Sequence, residues 1–207
     1  MPTPVVLTDL LPEEVSSELG LSQSFRGKQI FKWVGSGVSD FDKMTNLSLD
    51  LRNELKSKAI LRCTKVTNVL KDPDGTIKLQ ITTSDQNAVE TVLLTDKEGR
   101  KTACVSCQVG CALKCVFCQS GTLGLARNLI PAEIVEQFLY LEEIAGKLDN
   151  IVFMGMGEPM QNLDAIRKDA GIDTKEEFDE IVNSLGNKIL LEENINKSIG
   201  KEWFETK

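Results

Sequence analysis

The chain contains 207 residues, with 24 Lys and Arg against 31 Asp and Glu, and it contains no histidine. The lack of histidine excludes Ser-His-Asp triads, Cys-His dyads and imidazole-based zinc sites, so carboxylates, lysines, tyrosine and thiols remain for catalysis. No apolar run approaches the ~20 residues of a membrane-spanning helix, and no secretory signal is visible. We therefore expect a cytoplasmic protein without a membrane partner. The net charge of −7 argues only weakly against nucleic-acid binding.

The first sixty residues predict three helices. A short amphipathic helix is expected over 12–20, where a proline opens it and a glycine ends it. A second helix is expected over 24–34, with its first serine as the N-cap. Ser48 is the predicted N-cap of a third helix that runs to about Ala59.

After a turn at 71–75, the pattern changes from helical spacing to alternation. Polar and apolar residues alternate over Thr76–Thr82, which predicts a half-buried strand, and Val89–Leu94 predicts a second one. Together with the helices, these strands make residues 1–98 a helical plus small β accessory domain, for which the family resemblance given below implies contact with RNA.

The next part of the chain predicts a βαβ unit. A third strand is expected near Thr102–Val105, a helix over Pro131–Ala145 and a short apolar strand over Ile151–Met154. An all-apolar strand of this kind is typical of a buried parallel sheet. The predicted class is therefore α/β.

Five of the six cysteines lie within 15 residues, between the third strand and its helix. They are Cys104, Cys107, Cys111, Cys115 and Cys118. Clustered thiols in a reducing compartment favour a metal site or catalysis over a disulfide scaffold. Cys63 lies apart and is best explained as an ordinary buried residue.

The last three cysteines have a spacing that suits an iron–sulfur cluster. Cys111, Cys115 and Cys118 form C-x3-C-x2-C. Three thiolates on one loop can hold three irons of a 4Fe–4S cluster and leave the fourth iron open. That open iron can take the amino and carboxylate groups of S-adenosylmethionine. Phe117, directly before the last cysteine, is a predicted cofactor contact.

Zinc is the competing metal for these thiols. A zinc site normally shows paired C-x2-C units or histidines. It could form here only if Cys104 or Cys107 supplied a fourth ligand, so we favour the iron–sulfur cluster.

A glycine-rich segment follows the last predicted strand. Glycines at 155–157 would let backbone groups approach a ligand closely, and Glu158 can accept a hydrogen bond from an ammonium group. Placed after the cysteine loop, this segment supports a pocket for S-adenosylmethionine.

Residues 1–168 resemble the amino-terminal part of the RlmN family. Members are radical S-adenosylmethionine enzymes that methylate carbon 2 of adenine in 23S rRNA and in certain tRNAs, using an external electron donor. The matching segments are Phe25–Trp33, Asp40–Ser48, Glu90–Val92, Cys104–Cys111, Arg127–Leu129 and Met154–Pro159.

The resemblance implies roles for individual residues. The cysteines of the C-x3-C-x2-C loop would be the cluster ligands, and Gly157 and Glu158 would contact S-adenosylmethionine. Cys104 matches the cysteine that resolves a covalent protein–RNA intermediate by forming a disulfide with a second, methyl-carrying cysteine. Glu90 matches the proposed proton acceptor, a role that burial would favour by raising its pKa. The family is expected to have a small hydroxyl residue at the position of Cys107. Cys107 is therefore either a benign substitution or a spare metal ligand.

The resemblance ends near Asp169, where the chain becomes markedly acidic. Residues 99–168 would then form an incomplete radical S-adenosylmethionine (β/α) barrel, and 169–207 a helical acidic tail. The tail resembles the end of HNH-type domains in DUF262/DUF1524 proteins, with Asn187 and Asn196 as candidate positions. Such nucleases need a histidine, so nuclease activity is not expected.

No cysteine follows Cys118, so the methyl-carrying position is missing from this sequence. The primary hypothesis is therefore a truncated RNA methyltransferase that cannot complete the reaction alone. The alternative is a non-catalytic RNA- or protein-binding remnant whose thiols are empty or bind zinc.

Overall fold

The computed structural model describes residues 3–169. The predicted acidic tail, with Asn187 and Asn196, lies outside the described residues. None of the helices between residues 3 and 169 is long and apolar enough to cross a membrane.

Six α-helices and nine strands occur in the described part of the chain. The helices are α1 (Pro12–Glu18), α2 (Ser24–Gly35), α3 (Leu49–Lys58), α4 (Gln119–Leu123), α5 (Pro131–Ala145) and α6 (Leu163–Asp169). The strands are β1 (Val5–Val6), β2 (Ala59–Ile60), β3 (Lys65–Lys71), β4 (Ile77–Thr82), β5 (Ala88–Thr95), β6 (Lys101–Cys104), β7 (Gln108–Gly110), β8 (Leu125–Asn128) and β9 (Asn150–Val152). Short 3-10 turns lie at Leu7–Asp9, Phe41–Lys43 and Pro159–Gln161.

The three predicted amino-terminal helices are confirmed as α1, α2 and α3. The hydroxyl of Ser48 accepts a hydrogen bond from the amide of Leu51, so the predicted N-cap of α3 is present. The expected cap of α2 is wrong, because Ser24 is already the first helical residue and Gln23 occupies the cap position. The helices pack around their own apolar cluster, which includes Leu7, Val15, Ile30, Met44 and Leu55.

A five-stranded sheet follows, in the order β3-β4-β5-β6-β9. The strands pair antiparallel except β6 and β9, which run parallel with α5 between them, and this confirms the βαβ unit and the α/β class. One face of the sheet packs on α5 through an apolar cluster that includes Leu79, Ile81, Leu93, Ala103, Ile134 and Leu141. The sheet runs continuously across the boundary at 98/99, and the division into domains stays a prediction.

The burial expected for the last strand is wrong. The strand covers Asn150–Val152 and lies at the end of the sheet, paired only with β6 in the described residues. The side of β9 away from β6 has no neighbouring strand there, so Ile151 is 42% exposed and Met154 is 62% exposed.

A buried carboxylate joins the helical part to the sheet. Glu136 of α5 is fully buried. Its Oε1 accepts hydrogen bonds from the hydroxyl of Thr8, at 2.6 Å, and from the amide of Cys63, at 2.9 Å. Its Oε2 accepts from the amide of Thr64, at 2.8 Å, and from the hydroxyl of the same residue. Four donors offset the cost of burying this carboxylate.

Replacing Glu136 tests this contact. We expect Glu136→Ala to lower the free energy of unfolding by about 3 kcal/mol, because it leaves buried donors of Thr8 and Thr64 without an acceptor. Glu143→Ala is the matched control on the same helix. Glu143 is partly exposed and pairs with Arg62, so its loss should cost less than about 1 kcal/mol. Equal effects in urea unfolding followed by circular dichroism would contradict the role of Glu136.

Candidate functional site

The predicted metal ligands and the glycine-rich segment lie beyond the carboxyl ends of the two parallel strands, β6 and β9. β7 and β8 form a hairpin that pairs Gln108 with Asn128, and the chain between these strands carries the cysteine loop and α4. The segment after β9 contacts the segment after β6 through backbone hydrogen bonds. The amide of Cys107 donates to the carbonyl of Met156 at 2.9 Å, and the amide of Gly155 donates to that of Val105 at 3.1 Å. These bonds bring the glycine-rich segment beside the hairpin.

Cys118 is the thiol of the loop that is best prepared for deprotonation. It is the N-cap of α4, and the backbone amides of Gly121 and Ser120 lower its pKa. Cys115 is half-buried and Cys111 is buried. The thiolate is the form that binds metal, so the donor chemistry of the loop fits a cluster.

The structure places the three cysteines on one loop without bringing their sulfur atoms together. Between residues 3 and 169, no three Cys, Asp or Glu side chains lie close enough to share a metal ion. The assignment of Cys111, Cys115 and Cys118 as ligands stays a prediction that rests on their spacing.

Cys107 belongs to the hydrophobic core. It is only 2% exposed and packs in the apolar cluster under the sheet. Burial raises the pKa of its thiol to about 12, and the nearby charge of Glu158 adds to this. A protonated core thiol is a poor metal ligand, so the structure favours the benign substitution over a spare ligand.

Cys104 and Glu90 lie on the same face of the sheet. Cys104 pairs with Val92 of β5, and Glu90 precedes Val92 by two residues, so both side chains point away from α5. Cys104 is half-buried, and burial raises its pKa. The burial expected of Glu90 is not found. Its side chain is 54% exposed and lies 3.1 Å from the ammonium of Lys78.

The glycines after β9 are required by the packing of the chain on itself. A Cβ atom on Gly157 would lie 2.6 Å from Cβ of Gln108, and one on Gly155 would lie 2.7 Å from Oγ of Ser106. Gly157 also has a φ of +104°, which side chains rarely permit. The sequence predicts that these glycines allow close approach of a ligand, and in the structure they also allow close approach of two chain segments.

Among the described residues, the amide and carbonyl of Gly157 are available to bind a ligand, whereas the neighbouring backbone amides already donate hydrogen bonds. The amide of Met156 donates to Oγ of Ser106 at 2.8 Å, and the amide of Glu158 donates to Oε1 of Gln108 at 2.9 Å. Within residues 3–169, neither the amide nor the carbonyl group of Gly157 forms a hydrogen bond. The carboxylate of Glu158 accepts from the amide of Met160 at 3.1 Å through one oxygen.

Apolar side chains of the cysteine loop face away from the core. Phe117 is 77% exposed, and Val116 beside it is 93% exposed. The predicted contact of Phe117 with a cofactor stays a prediction. The residue that sequence reasoning missed is Gln108, whose buried side chain connects the hairpin to Glu158.

Two family models match the chain. Residues 14–61 match the ribosomal RNA large subunit methyltransferase N-terminal domain, and residues 105–197 match the radical SAM superfamily. The chain is 53% identical over 160 residues to a probable dual-specificity RNA methyltransferase RlmN of Treponema pallidum, an alignment that covers 77% of this chain and 47% of that protein. The chain belongs to the RlmN family. The second match extends into 169–207, and the separation of that segment as an unrelated tail stays a prediction.

Further relatives agree with this assignment. An RlmN protein of Oleidesulfovibrio alaskensis is 46% identical over 153 residues, covering 70% of this chain and 43% of that protein. A crystal structure of a radical SAM methyltransferase from Sphaerobacter thermophilus matches with a TM-score of 0.74 and 40% identity, covering 82% of this chain and 52% of that one. The chain thus spans about half the length of the curated relatives it matches.

The close packing at Gly157 can be tested by substitution. We expect Gly157→Ala to destabilise the protein by about 3 kcal/mol, because the positive φ and the contact with Gln108 both oppose a Cβ atom. Gly99→Ala is the matched control, since Gly99 has a φ of +81° but no atom within 4 Å of an added Cβ. Thermal unfolding should show a clearly smaller loss for Gly99→Ala, and equal losses would contradict the packing argument.

Thiol reactivity provides a second test. At neutral pH a larger fraction of Cys118 than of Cys107 is thiolate, because the pKa is lowered in the first and raised in the second. We expect iodoacetamide to modify Cys118 much faster than Cys107 in the folded, metal-free chain, as measured by mass spectrometry. Denatured protein is the control, in which the two rates should converge. Comparable rates in the folded chain would contradict the assignment of Cys107 to the core.

Proposed function

We propose that this chain binds a 4Fe–4S cluster and S-adenosylmethionine and serves the methylation of carbon 2 of adenine in RNA. The observation that carries the proposal is the packing of the β7–β8 hairpin against the glycine-rich segment, beyond the carboxyl ends of the parallel strands β6 and β9. The loop of this hairpin contains Cys111, Cys115 and Cys118, and the glycine-rich segment contains Gly157 and Glu158. Ligand sites of α/β folds occur at this end of the strands.

The two loops would bind different groups, the cysteine loop the cluster and the glycine-rich segment S-adenosylmethionine. The three cysteines would hold three irons of the cluster through their sulfur atoms. The open carbonyl and amide of Gly157 and the second carboxylate oxygen of Glu158 suit the amino-acid part of S-adenosylmethionine. A bound cluster would supply one electron for reductive cleavage of the sulfonium of S-adenosylmethionine.

Cys104 and Glu90 would act on the open face of the sheet. Cys104 lies in β6, directly before the hairpin, and would form the disulfide that releases the methylated RNA from a second, methyl-carrying cysteine. Glu90 would accept a proton from the adenine, and it would do so from an exposed position beside Lys78 rather than from a buried one.

The RNA and the electron donor are part of the proposal. The substrates would be 23S rRNA and tRNA, and the electron would come from an external donor. All six cysteines are free thiols in the described chain. Free thiols are typical of a reducing compartment, and this supports a cytoplasmic location.

A second function is favoured by one observation. The sulfur atoms of the cysteine loop are not brought together within residues 3–169. A non-catalytic RNA- or protein-binding remnant, with thiols that are empty or bind zinc, would be consistent with that arrangement.

Anaerobic reconstitution with iron and sulfide distinguishes the two functions. We expect the chain to take up iron and sulfide and to show the broad visible absorbance of thiolate-ligated iron. Cys115→Ala should abolish the uptake, whereas Cys63→Ala, outside the loop, should not. Bound zinc, or no metal at all, would favour the remnant.

The reaction of the reconstituted chain tests the roles further. With a chemical reductant we expect S-adenosylmethionine to be cleaved to 5′-deoxyadenosine and methionine. We expect no 2-methyladenosine in added rRNA or tRNA, because no cysteine follows Cys118 in the 207-residue chain. Both products are measured by liquid chromatography and mass spectrometry. Detection of 2-methyladenosine would contradict the need for a further cysteine.

A further inference from the structure

A fully buried glutamine connects the two loops of the site. Gln108 is the first residue of β7 and lies three residues before Cys111. Its Nε2 donates to Oδ1 of Asn128 in β8, at 2.8 Å, and its Oε1 accepts from the amide of Glu158, at 2.9 Å. Both ends of this buried carboxamide are therefore satisfied, which fixes its orientation.

The same side chain supports the peptide of Gly157. The methylenes of Gln108 lie where a side chain of Gly157 would be, 2.6 Å and 2.8 Å from a Cβ atom built there. The backbone amide of Gln108 also donates to the carbonyl of Met156 at 3.2 Å. Gln108 thus contacts the loop on both sides of the peptide groups that remain open.

Asn128 extends the connection to the turn that follows. Its Nδ2 donates to the carbonyl of Gln161 at 3.0 Å. The amide of Gln161 in turn donates to the carbonyl of Glu158 at 3.0 Å. The hairpin that carries the cysteine loop is therefore bound to Glu158 through two side-chain amides.

We propose that Gln108 is a positioning residue, which holds the Gly157 peptide and Glu158 at a fixed place relative to the cysteine loop. Its effect on S-adenosylmethionine rests on the proposed function, whereas its effect on the loop does not. A cluster and an amino-acid ligand that would bind next to each other need their two binding loops in a fixed relative position. The hydrogen bonds of the Gln108 carboxamide fix that position.

Hydrogen exchange of the metal-free 207-residue chain tests the position of the loop. We expect Gln108→Leu to speed exchange of the Glu158 amide at least about ten-fold, because that amide loses its acceptor. Gln108→Glu keeps an oxygen acceptor and should exchange more slowly than Gln108→Leu. If substitution of Gln108 acted only by destabilising the fold, the Glu158 amide would not exchange more slowly in Gln108→Glu than in Gln108→Leu.

A second variant keeps the test informative if Gln108→Leu fails to fold. Asn128 is exposed, so Asn128→Ala should fold, and it removes the partner of Nε2 of Gln108. We expect faster exchange over 158–161. Asn68→Ala is the matched control, because Asn68 is an exposed strand asparagine whose side chain, among the described residues, accepts a hydrogen bond only from the adjacent Val69 amide. Unchanged exchange over 158–161 in Asn128→Ala, or unchanged exchange of the Glu158 amide in a folded Gln108→Leu, would overturn the proposal.

Binding of S-adenosylmethionine to the chain with its cluster tests the functional part. In equilibrium dialysis, Gln108→Leu should bind about ten-fold more weakly than the unaltered chain, with iron content unchanged. Equal affinity would overturn a role in positioning the ligand. If the unaltered chain itself does not bind S-adenosylmethionine, the proposed function fails, and hydrogen exchange alone then decides whether Gln108 positions the loop.

Discussion

The buried carboxylate of Glu136 is the contact on which the arrangement of the described chain depends. It accepts hydrogen bonds from Thr8, before α1, and from Cys63 and Thr64, which lead into the sheet. These segments are more than 70 residues from Glu136 in sequence and belong to separate apolar clusters or their margins. The buried apolar residues form two separate clusters, so apolar packing alone specifies the mutual orientation of these parts less strictly than directional contacts do. Directional hydrogen bonds to one carboxylate specify it.

Gln137, the next residue of α5, extends these buried hydrogen bonds to the candidate site. The side-chain amide of Gln137 bonds both backbone groups of Ser106, at 2.8 Å to the amide and 3.0 Å to the carbonyl. The hydroxyl of Ser106 then donates to the carbonyl of Glu90, at 2.6 Å, and accepts from the amide of Met156. One buried helix therefore orients the sheet strand of the predicted proton acceptor and the loop of the predicted ligand contacts. Buried side chains of α5 therefore position the segments that form the candidate site.

Much of the fold could be predicted because its signals are local. Helix α5 occupies the predicted residues 131–145, since a proline begins it, a glycine follows it and apolar residues recur at helical spacing between them. Strand β3 was missed because its residues are mostly exposed and lack the alternation of a half-buried strand. The exposure of Ile151 and of Glu90 could not be read from the sequence either. Both depend on which strand neighbours another, and residue type alone does not encode that.

The site divides in the same way between local and distant information. The cysteine spacing lies within eight residues, so the sequence sufficed to predict the ligand set. Gln108 gave no such signal, because its two partners are 20 and 50 residues away and a glutamine at the start of a strand resembles any other strand residue. Gly157 depends on both local and distant information. A glycine-rich segment after a strand is visible in the sequence, but its physical cause is a side chain packed against it from another strand. Candidate ligand-binding residues can therefore be predicted from motifs, whereas residues that connect distant segments emerge only when the fold brings those segments together.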